Sequence, residues 1–305
     1  MRWVGPHIER VEASLDPLLA EGRLPHALLI SGAPGVGKRS LTLRIARGLL
    51  CSSARRSGGC GSCGSCRRVD VAEHPDLHVL KRPAGKTRIP VADVRELLEA
   101  LSRSSLEGRG RVALLSGVED LGTEGQNALL KTLEEPFPGT WLLLTTSRPE
   151  TLLDTVRSRV HRVGLPPLGE EEMRQFLSQV GSGELGLEDL LAVAEGSPGR
   201  ALELSAGEGL ATLEQAEGLF VGGMTEQAWT RRVFEGLASG EEGLRQAKKM
   251  RAREVLALSL RLARQRGVAG EDRAWSQIEI VLQALRDLDL GLAPEQVLQA
   301  VHRQM

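Results

Sequence analysis

The chain has 305 residues, of which 39 are basic and 40 are acidic, and 41% of its residues are hydrophobic. Its formal net charge of -1 excludes a protein that holds nucleic acid by bulk electrostatics alone, and its length allows two or three buried cores. No apolar stretch has the length of a transmembrane span or of a signal-peptide core, so we expect a cytoplasmic protein.

A glycine-rich turn is the first informative feature of the chain. Residues 32–40 read GAPGVGKRS, between an apolar run at 27–30 and a helical pattern at 41–50. A strand that turns through glycines into a helix presents backbone N–H groups and the positive end of the helix dipole, which suits a phosphate chain. We expect this P-loop to contact a nucleotide through Gly32, Gly35, Val36, Gly37, Lys38, Arg39 and Ser40.

The same P-loop lacks its usual magnesium ligand. The residue after the lysine should be Ser or Thr, whose hydroxyl binds Mg²⁺, but here it is Arg39. A guanidinium cannot ligate a cation, and Ser40 lies about 100° further round the helix. The motif therefore predicts at most weak binding of ATP or ADP, without a competent Mg²⁺ site.

All four cysteines of the chain come directly after the helical pattern at 41–50. Cys51, Cys60, Cys63 and Cys66 have the spacing C-x8-C-x2-C-x2-C. Tight CxxC turns aim thiolates at one tetrahedral centre, and a cytoplasmic location argues against disulfides. Structural Zn²⁺ is the leading interpretation, while free or redox-active thiols and an iron–sulfur cluster stay open as alternatives. Four ligands leave no open position, so a zinc ion here would hold a loop rather than catalyse a reaction.

Hydrophobic periodicity divides the chain into two regions. Up to about residue 164, apolar runs at 27–30, 77–80, 112–115 and 142–145 alternate with helical patterns at 41–50, 94–101 and 129–133. This alternation predicts an α/β domain with a parallel sheet covered on both faces. Beyond it, the pattern predicts short helices at 170–181, 187–195 and 200–205, and then longer ones. Their apolar stripes are Val255, Leu258 and Leu262, and Trp275, Ile278, Val281, Leu282 and Leu285.

A second magnesium ligand is also missing. P-loop ATPases hold Mg²⁺ and polarise the attacking water with carboxylates at the end of the third strand. Here that strand runs into Ser116 and Gly117 instead. Glu119 and Asp120 lie three and four residues beyond Ser116, and we interpret them as solvated loop acids rather than as a shifted catalytic pair.

Residues 126–136, QNALLKTLEEP, form an amphipathic helix with a proline stop. With the Arg157-Ser158-Arg159 sequence that follows, this helix resembles the clamp-loader branch of the AAA+ ATPases, and within it the delta-prime family of the bacterial DNA polymerase III clamp loader. The resemblance spans roughly residues 25–202. It includes the P-loop region, the four-cysteine insert, His74-Pro75-Asp76, Thr146 and the GSPGRAL sequence at 196–202.

The resemblance implies a three-domain chain. Its parts are a RecA-like AAA+ core at residues 1–165 with a zinc module at 51–66, a three-helix lid at 166–206, and an all-α collar at 207–305. It also implies a five-membered ring with gamma/tau and delta subunits, which loads the sliding clamp onto primer-template DNA as part of a nucleotidyltransferase holoenzyme.

The resemblance further assigns roles to individual residues. The family's Ser-Arg-Cys motif reads Ser158-Arg159-Val160 here, so Arg159 is expected to act as an arginine finger on a neighbouring subunit's ATP; otherwise it is a surface arginine or part of a salt bridge. Thr146 matches a polar sensor of the γ-phosphate, or is a structural hydroxyl. The family's lid arginine is replaced by Gly199, with Arg200 one position out of phase.

Four departures, at Arg39, Ser116, Gly117 and Gly199, fall on the chain's own hydrolysis machinery. The sequence therefore predicts a clamp-loader subunit that does not hydrolyse ATP itself. The main alternative is an ATP-hydrolysing subunit of the gamma/tau type. Two further alternatives are a P-loop phosphotransferase and a zinc-dependent nucleic-acid binding module, in which Arg55, Arg56, Arg67 and Arg68 flank the cysteines but aromatic residues for base stacking are scarce.

Overall fold

The computed structural model describes residues 5–84, 86–181, 186–205, 209–221, 224–235, 237, 241–269 and 273–305. These residues divide into two compact units, Met1–Glu172 and Met173–Met305. The predicted three-part division into core, lid and collar is finer than this and stays a prediction. Its boundary between residues 206 and 207 lies outside the described residues.

The first unit alternates strands and helices along the chain. Its elements in order are α1 (Pro6–Ala20), β1 (Ala27–Ser31), α2 (Lys38–Leu50), α3 (Gly64–Asp70), β2 (Leu77–Lys81), α4 (Val91–Ser102), β3 (Arg111–Ser116), η1 (Val118–Asp120), α5 (Thr123–Glu134), β4 (Thr140–Thr146), η2 (Pro149–Thr151), α6 (Asp154–Arg157), β5 (His161–Gly164) and the start of α7 (Glu170–Val180).

In the described part of the chain, five strands form one parallel sheet with the order β2-β3-β4-β1-β5. The predicted parallel α/β sheet is therefore confirmed. The register pairs Ser31 at the end of β1 with Thr146 of β4 on one side and with Gly164 of β5 on the other. In such a sheet, loops at the carboxyl ends of neighbouring strands lie side by side, which is where ligands bind in open α/β folds.

Successive residues of the central strands face opposite sides of the sheet, because side chains alternate along a strand. Leu28 and Ile30 join one hydrophobic cluster, which includes residues of α1 and α2. Ala27 and Leu29 join the other, which includes residues of α4, α5 and α6. The continuous apolar runs that predicted these strands are explained by burial on both faces.

The sequence pattern did not predict β5, α1 or α3. Strand β5 lies at the edge of the sheet, and Val163 is its one buried residue, so it has no apolar run to signal it. Helix α3 has seven residues within the cysteine insert, too few for a periodic pattern. Helix α1 begins with Pro6, a residue that is favourable at the first helical position. No side chain caps this helix, so the sequence lacks the usual N-cap signal for its start.

The second unit is helical. It comprises the rest of α7, then α8 (Leu187–Ala194), α9 (Pro198–Glu203), α10 (Gly209–Val221), α11 (Glu226–Val233), α12 (Glu241–Val268), α13 (Arg273–Asp289) and α14 (Pro294–Gln304). The predicted helices at 170–181, 187–195 and 200–205 correspond to α7, α8 and α9. In the described ranges, no helix combines the length and the apolar composition needed to cross a bilayer.

The predicted apolar stripe of α13 needs one correction. Ile278 and Val281 are buried as predicted, but Trp275 is 62% exposed. The buried face begins instead at Ala274, one residue earlier and about 100° round the helix. The Trp275 ring lies over Gly267, where an added Cβ would be 3.5 Å from the indole.

Candidate nucleotide site, cysteine cluster and arginine

The P-loop joins β1 to α2 at the carboxyl edge of the sheet. Gly35 and Gly37 have φ angles of 73° and 105°, a left-handed backbone that favours glycine. At Gly32 the requirement is space, because an added Cβ would lie 2.5 Å from the backbone oxygen of Leu165 at the end of β5. The glycines predicted from the sequence therefore do shape this turn.

The start of α1 packs against the P-loop, a contact that the sequence did not reveal. The His7 side chain is fully buried, and its Nε2 donates a hydrogen bond to the backbone oxygen of Val36 at 2.8 Å. Burial lowers the pKa of His7. An added Cβ at Gly37 would lie 3.1 Å from Cδ1 of Ile8. The outer side of the loop is thus fixed by the N-terminal helix.

Lys38 is engaged entirely by its own chain. Its ammonium donates to the backbone oxygens of Gly32 at 2.7 Å and Ala33 at 2.8 Å, and to Oγ of Ser147 at 2.8 Å. An ammonium has three N–H donors, so each has an acceptor. Burial lowers the pKa of Lys38, and the nearby carboxylate of Glu119 partly opposes that shift. A phosphate must displace at least one of these acceptors before Lys38 can bind it.

Glu119 lies closer to this site than we expected from the sequence. In η1 it is half-buried, and its Oε1 accepts a hydrogen bond from the backbone N–H of Ser147 at 2.9 Å. Its Oε2 is buried without a hydrogen-bond partner in the described part of the chain. Interpreting Glu119 as a solvated loop acid was therefore wrong. Asp120 forms an ion pair with Arg82 at 3.3 Å.

The remaining predicted residues of the site are arranged around this network. Arg39 is exposed at the start of α2. Thr146 is fully buried, and its Oγ1 accepts a hydrogen bond from the backbone N–H of Arg148 at 3.0 Å. The next residue, Ser147, is the one that contacts Lys38. Strand β3 ends at Ser116 and Gly117 follows it, at the position where the sequence lacks carboxylates.

The structure brings the four cysteines together. Their Sγ atoms all lie within 4.8 Å of one another, and the separations Cys51–Cys63 and Cys60–Cys66 are each 3.9 Å. Four sulfurs about 2.3 Å from a central Zn²⁺ would be separated by roughly 3.8 Å. All four cysteines lie in the described part of the chain, and none of them forms a disulfide. The cluster could therefore hold a metal ion, and its dimensions fit tetrahedral zinc.

Backbone N–H groups point at all four of these sulfurs. Sγ of Cys51 accepts from Ala54 at 3.2 Å and from Cys60 at 3.3 Å, and Sγ of Cys60 and of Cys63 each accept one at 3.4 Å. The N–H groups of Ser62 and Cys63 hold the pKa of the Cys60 thiol at about 5. Burial instead raises the pKa of Cys66 to about 12. Such N–H groups stabilise thiolates, the form that binds metals.

Arg159 lies in the short connection between α6 and β5. Its Nε and Nη2 form an ion pair with Oε1 of Glu134, at 2.7 and 2.5 Å, and its Nη1 donates to the backbone oxygen of Thr155 and to Oγ of Ser158. The Arg159 side chain is 35% exposed. The salt bridge named as an alternative from the sequence is thus present, although Arg159 keeps part of its surface accessible.

Arg159 and the P-loop of the same chain lie at opposite edges of the sheet. The parallel register pairs His161 with Leu28 and Gly164 with Ser31. The P-loop follows Ser31 at the carboxyl edge, whereas Arg159 precedes His161 at the amino edge. The four paired residues alone span roughly 13 Å along the strands. This topology separates Arg159 from the nucleotide site of its own chain.

Comparison with known proteins identifies the family. The family model described as "DNA polymerase III, delta subunit" matches residues 8–169, more than half of the chain. The chain belongs to this DNA polymerase III delta subunit family. The match covers the P-loop, the cysteine cluster and Arg159.

Curated relatives agree with the family. The chain is 37% identical over 207 residues to DNA polymerase III subunit delta′ of Escherichia coli K12, covering 68% of this chain and 61% of that protein. It is 35% identical to the delta′ subunit of Bacillus subtilis, covering 52% of this chain and 47% of that protein. The resemblance to the delta-prime family is thereby confirmed. The chain matches about half to three fifths of the length of these relatives.

Two proteins with other DNA polymerase III subunit names are also similar to this chain. The chain is 36% identical over 203 residues to DNA polymerase III subunit tau of E. coli K12, covering 65% of this chain and 31% of that protein. A crystal structure of a gamma subunit-related protein from Thermotoga maritima covers 97% of this chain and is itself covered to 98%, with a TM-score of 0.46 and 17% identity.

Proposed function

We propose that this chain is a non-hydrolysing clamp-loader subunit of the DNA polymerase III holoenzyme. In this role it helps to load the sliding clamp onto primer-template DNA in the cytoplasm. It occupies one position in a five-membered ring with gamma/tau and delta subunits. Membership of the delta subunit family supports the role, as do the relatives named delta′ subunit of DNA polymerase III.

The position of Arg159 carries the proposal. A guanidinium that lies at the opposite sheet edge from its own P-loop is badly placed to act on its own nucleotide, which supports a role on a nucleotide held by a neighbour. It is partly exposed, so a second subunit can approach it. An arginine aimed across an interface stabilises the charge that develops on a transferring phosphoryl group. Arg159 is therefore proposed to act in trans on the ATP of the adjacent subunit.

The state of the chain's own P-loop supports the absence of hydrolysis. All three donors of Lys38 are occupied by the chain itself, and the exposed Arg39 stands where Mg²⁺ needs a hydroxyl. Glu119 lies near enough to oppose the lowering of the Lys38 pKa by burial, but one of its oxygens already accepts the Ser147 N–H. We propose that any ATP or ADP binds weakly here, without the Mg²⁺ chemistry that turnover requires.

Two structural assignments belong to the same proposal. The cysteine cluster holds one structural Zn²⁺, which fixes the insert between α2 and α3. The sulfur separations and the N–H groups directed at the sulfurs support this assignment over disulfides. Helices α7 to α9 belong to a lid at residues 166–206, and the later helices form a collar at 207–305 that joins subunits.

ATP hydrolysis by the purified chain alone tests the proposal. We expect turnover no faster than that of Lys38→Ala, which removes the ammonium from the P-loop. Hydrolysis that depends on Lys38 would contradict a non-hydrolysing subunit. It would favour the gamma/tau type instead, and the 36% identity to the tau subunit is consistent with that alternative.

A further inference from the structure

We propose that Glu134, at the end of α5, is a positioning residue that holds Arg159 in its working orientation. This inference rests on the proposed function of Arg159 in trans. Oε1 of Glu134 accepts from Nε and from Nη2 of Arg159, at 2.7 and 2.5 Å. The carboxylate thus contacts the edge of the guanidinium that carries Nε and Nη2. This contact fixes the rotation of the side chain.

A count of the donors shows what this contact leaves available. Arg159 has five N–H groups in a rigid fork. Two are used by Glu134, and two on Nη1 are used by the backbone oxygen of Thr155 and Oγ of Ser158. One N–H of Nη2 has no acceptor among the described residues. The guanidinium is therefore held on three sides and presents a single donor that can meet an oxygen from outside the chain.

The support for Glu134 is rigid. Leu129 and Leu133 on the same helix are buried in the core, with 1% and 3% exposure. Nε2 of His26 donates to the backbone oxygen of Leu133 at 3.0 Å, which ties the end of α5 to the start of β1. A carboxylate mounted on a packed helix end can fix a partner more accurately than one on a loop.

Helix stability does not explain a glutamate at this position. The C-terminal end of a helix carries partial negative charge, which disfavours a carboxylate and favours a cation. Glu134 is the last residue of α5, and the guanidinium of Arg159 compensates both the carboxylate and the helix end. The adjacent Glu135 is exposed and makes no ion pair in the described ranges. Of the two neighbouring acids, Glu134 alone has the geometry to position Arg159.

Removing the Glu134 carboxylate leaves the guanidinium held only through Nη1, by Thr155 and Ser158, so its orientation is less tightly fixed. Misplacement of a positioned group by about 1 Å can lower a rate a hundredfold. Because half of the internal hydrogen bonds of Arg159 would survive, we expect a loss of about tenfold in kcat at the neighbouring site, with KM for ATP unchanged.

The test is a double-mutant cycle in the complex reconstituted with the ATP-hydrolysing subunits. The variants are Glu134→Ala, Glu134→Gln, Arg159→Ala and Glu134→Ala/Arg159→Ala, with Glu135→Ala as the matched control for loss of one negative charge. Assembly of each complex is measured separately. We expect Glu134→Ala to lower kcat, Glu134→Gln to recover part of it as a neutral acceptor, and Glu135→Ala to behave as wild type. In the Arg159→Ala background, Glu134→Ala should change nothing further.

Each other outcome has a definite meaning. If Arg159→Ala lowers turnover but Glu134→Ala leaves or raises it, positioning by Glu134 is overturned and the trans role of Arg159 stands. If Glu134→Ala has the same effect with and without Arg159, Glu134 acts by another route and the inference fails. If Arg159→Ala leaves turnover unchanged, the proposed function itself fails.

Discussion

Replacement of Gly59 by alanine is expected to damage the cysteine cluster far more than replacement of Gly108. Both glycines have left-handed backbones, with φ angles of 57° and 73°. At Gly59, however, an added Cβ would lie 2.8 Å from Sγ of Cys66 and 3.0 Å from the backbone oxygen of Arg47. At Gly108 nothing lies within 4 Å. The pair therefore separates backbone strain from crowding.

The magnitude follows from these two contributions. An alanine in the left-handed region costs roughly 1–2 kcal/mol, which both variants share. Crowding of a packed interior adds about 1–3 kcal/mol, which applies to Gly59→Ala alone. We expect a loss of stability of about 2–5 kcal/mol for Gly59→Ala, or roughly 4–20 °C in Tm at 2–4 °C per kcal/mol. Gly108→Ala should stay at the lower figure of about 1–2 kcal/mol.

The assay combines metal content per chain with thermal unfolding followed by far-ultraviolet circular dichroism. Displacement of the Cys66 sulfur removes one ligand, so Gly59→Ala should hold less than one equivalent of Zn²⁺. Wild type and Gly108→Ala should hold one equivalent, and chelation should lower their Tm because the metal binds the folded state. One equivalent of zinc and an equal Tm in both variants would refute the reasoning about the cluster.

Two further predictions concern buried charges. Asp76→Asn should lower stability by about 2 kcal/mol at neutral pH, because the carboxylate accepts from the backbone N–H groups of Leu106 and Glu107. Burial would raise the pKa of Asp76, but these hydrogen bonds hold it below its ordinary value of 3.8. The difference in stability between the two proteins should therefore shrink as pH falls through the folded-state pKa, and chemical denaturation that shows no narrowing of this difference on acidification would contradict the prediction. Glu254→Ala removes a buried partner of Arg200 and should cost about 3 kcal/mol. Glu203→Ala removes an exposed partner of the same arginine and should cost under about 1 kcal/mol. A larger loss of stability for Glu203→Ala than for Glu254→Ala would show that burial does not determine the size of the loss.

Much of the core fold was predictable from the sequence, because β1, β3 and β4 are buried on both faces and appear as apolar runs, and the partly buried β2 has a less continuous run of the same kind. Strand β5 was not, since Val163 is its one buried residue. The cysteine cluster was predictable because CxxC spacing constrains the sulfurs locally. Likewise, the P-loop glycines signal their own turn.

The contacts around the P-loop and Arg159 were not predictable, because they join residues distant in sequence. The hydrogen bond from His7 to Val36 and the one from Lys38 to Ser147 span 29 and 109 positions. The ion pair of Arg159 with Glu134 spans 25. Strand register brings such pairs together, and the hydrophobic periodicity of the sequence does not reveal that register.

The central claim is that the chain contributes to ATP hydrolysis through Arg159 rather than through its own P-loop. The most direct measurement is ATP turnover by an assembled ring in which only the ATP site next to Arg159 is active. The P-loops of the other subunits are disabled in this ring. Replacing an arginine finger lowers the rate by about 10³–10⁵-fold. We predict a fall of that order for Arg159→Ala in a ring that still assembles, and wild-type turnover from Lys38→Ala. Wild-type turnover from Arg159→Ala would contradict the account.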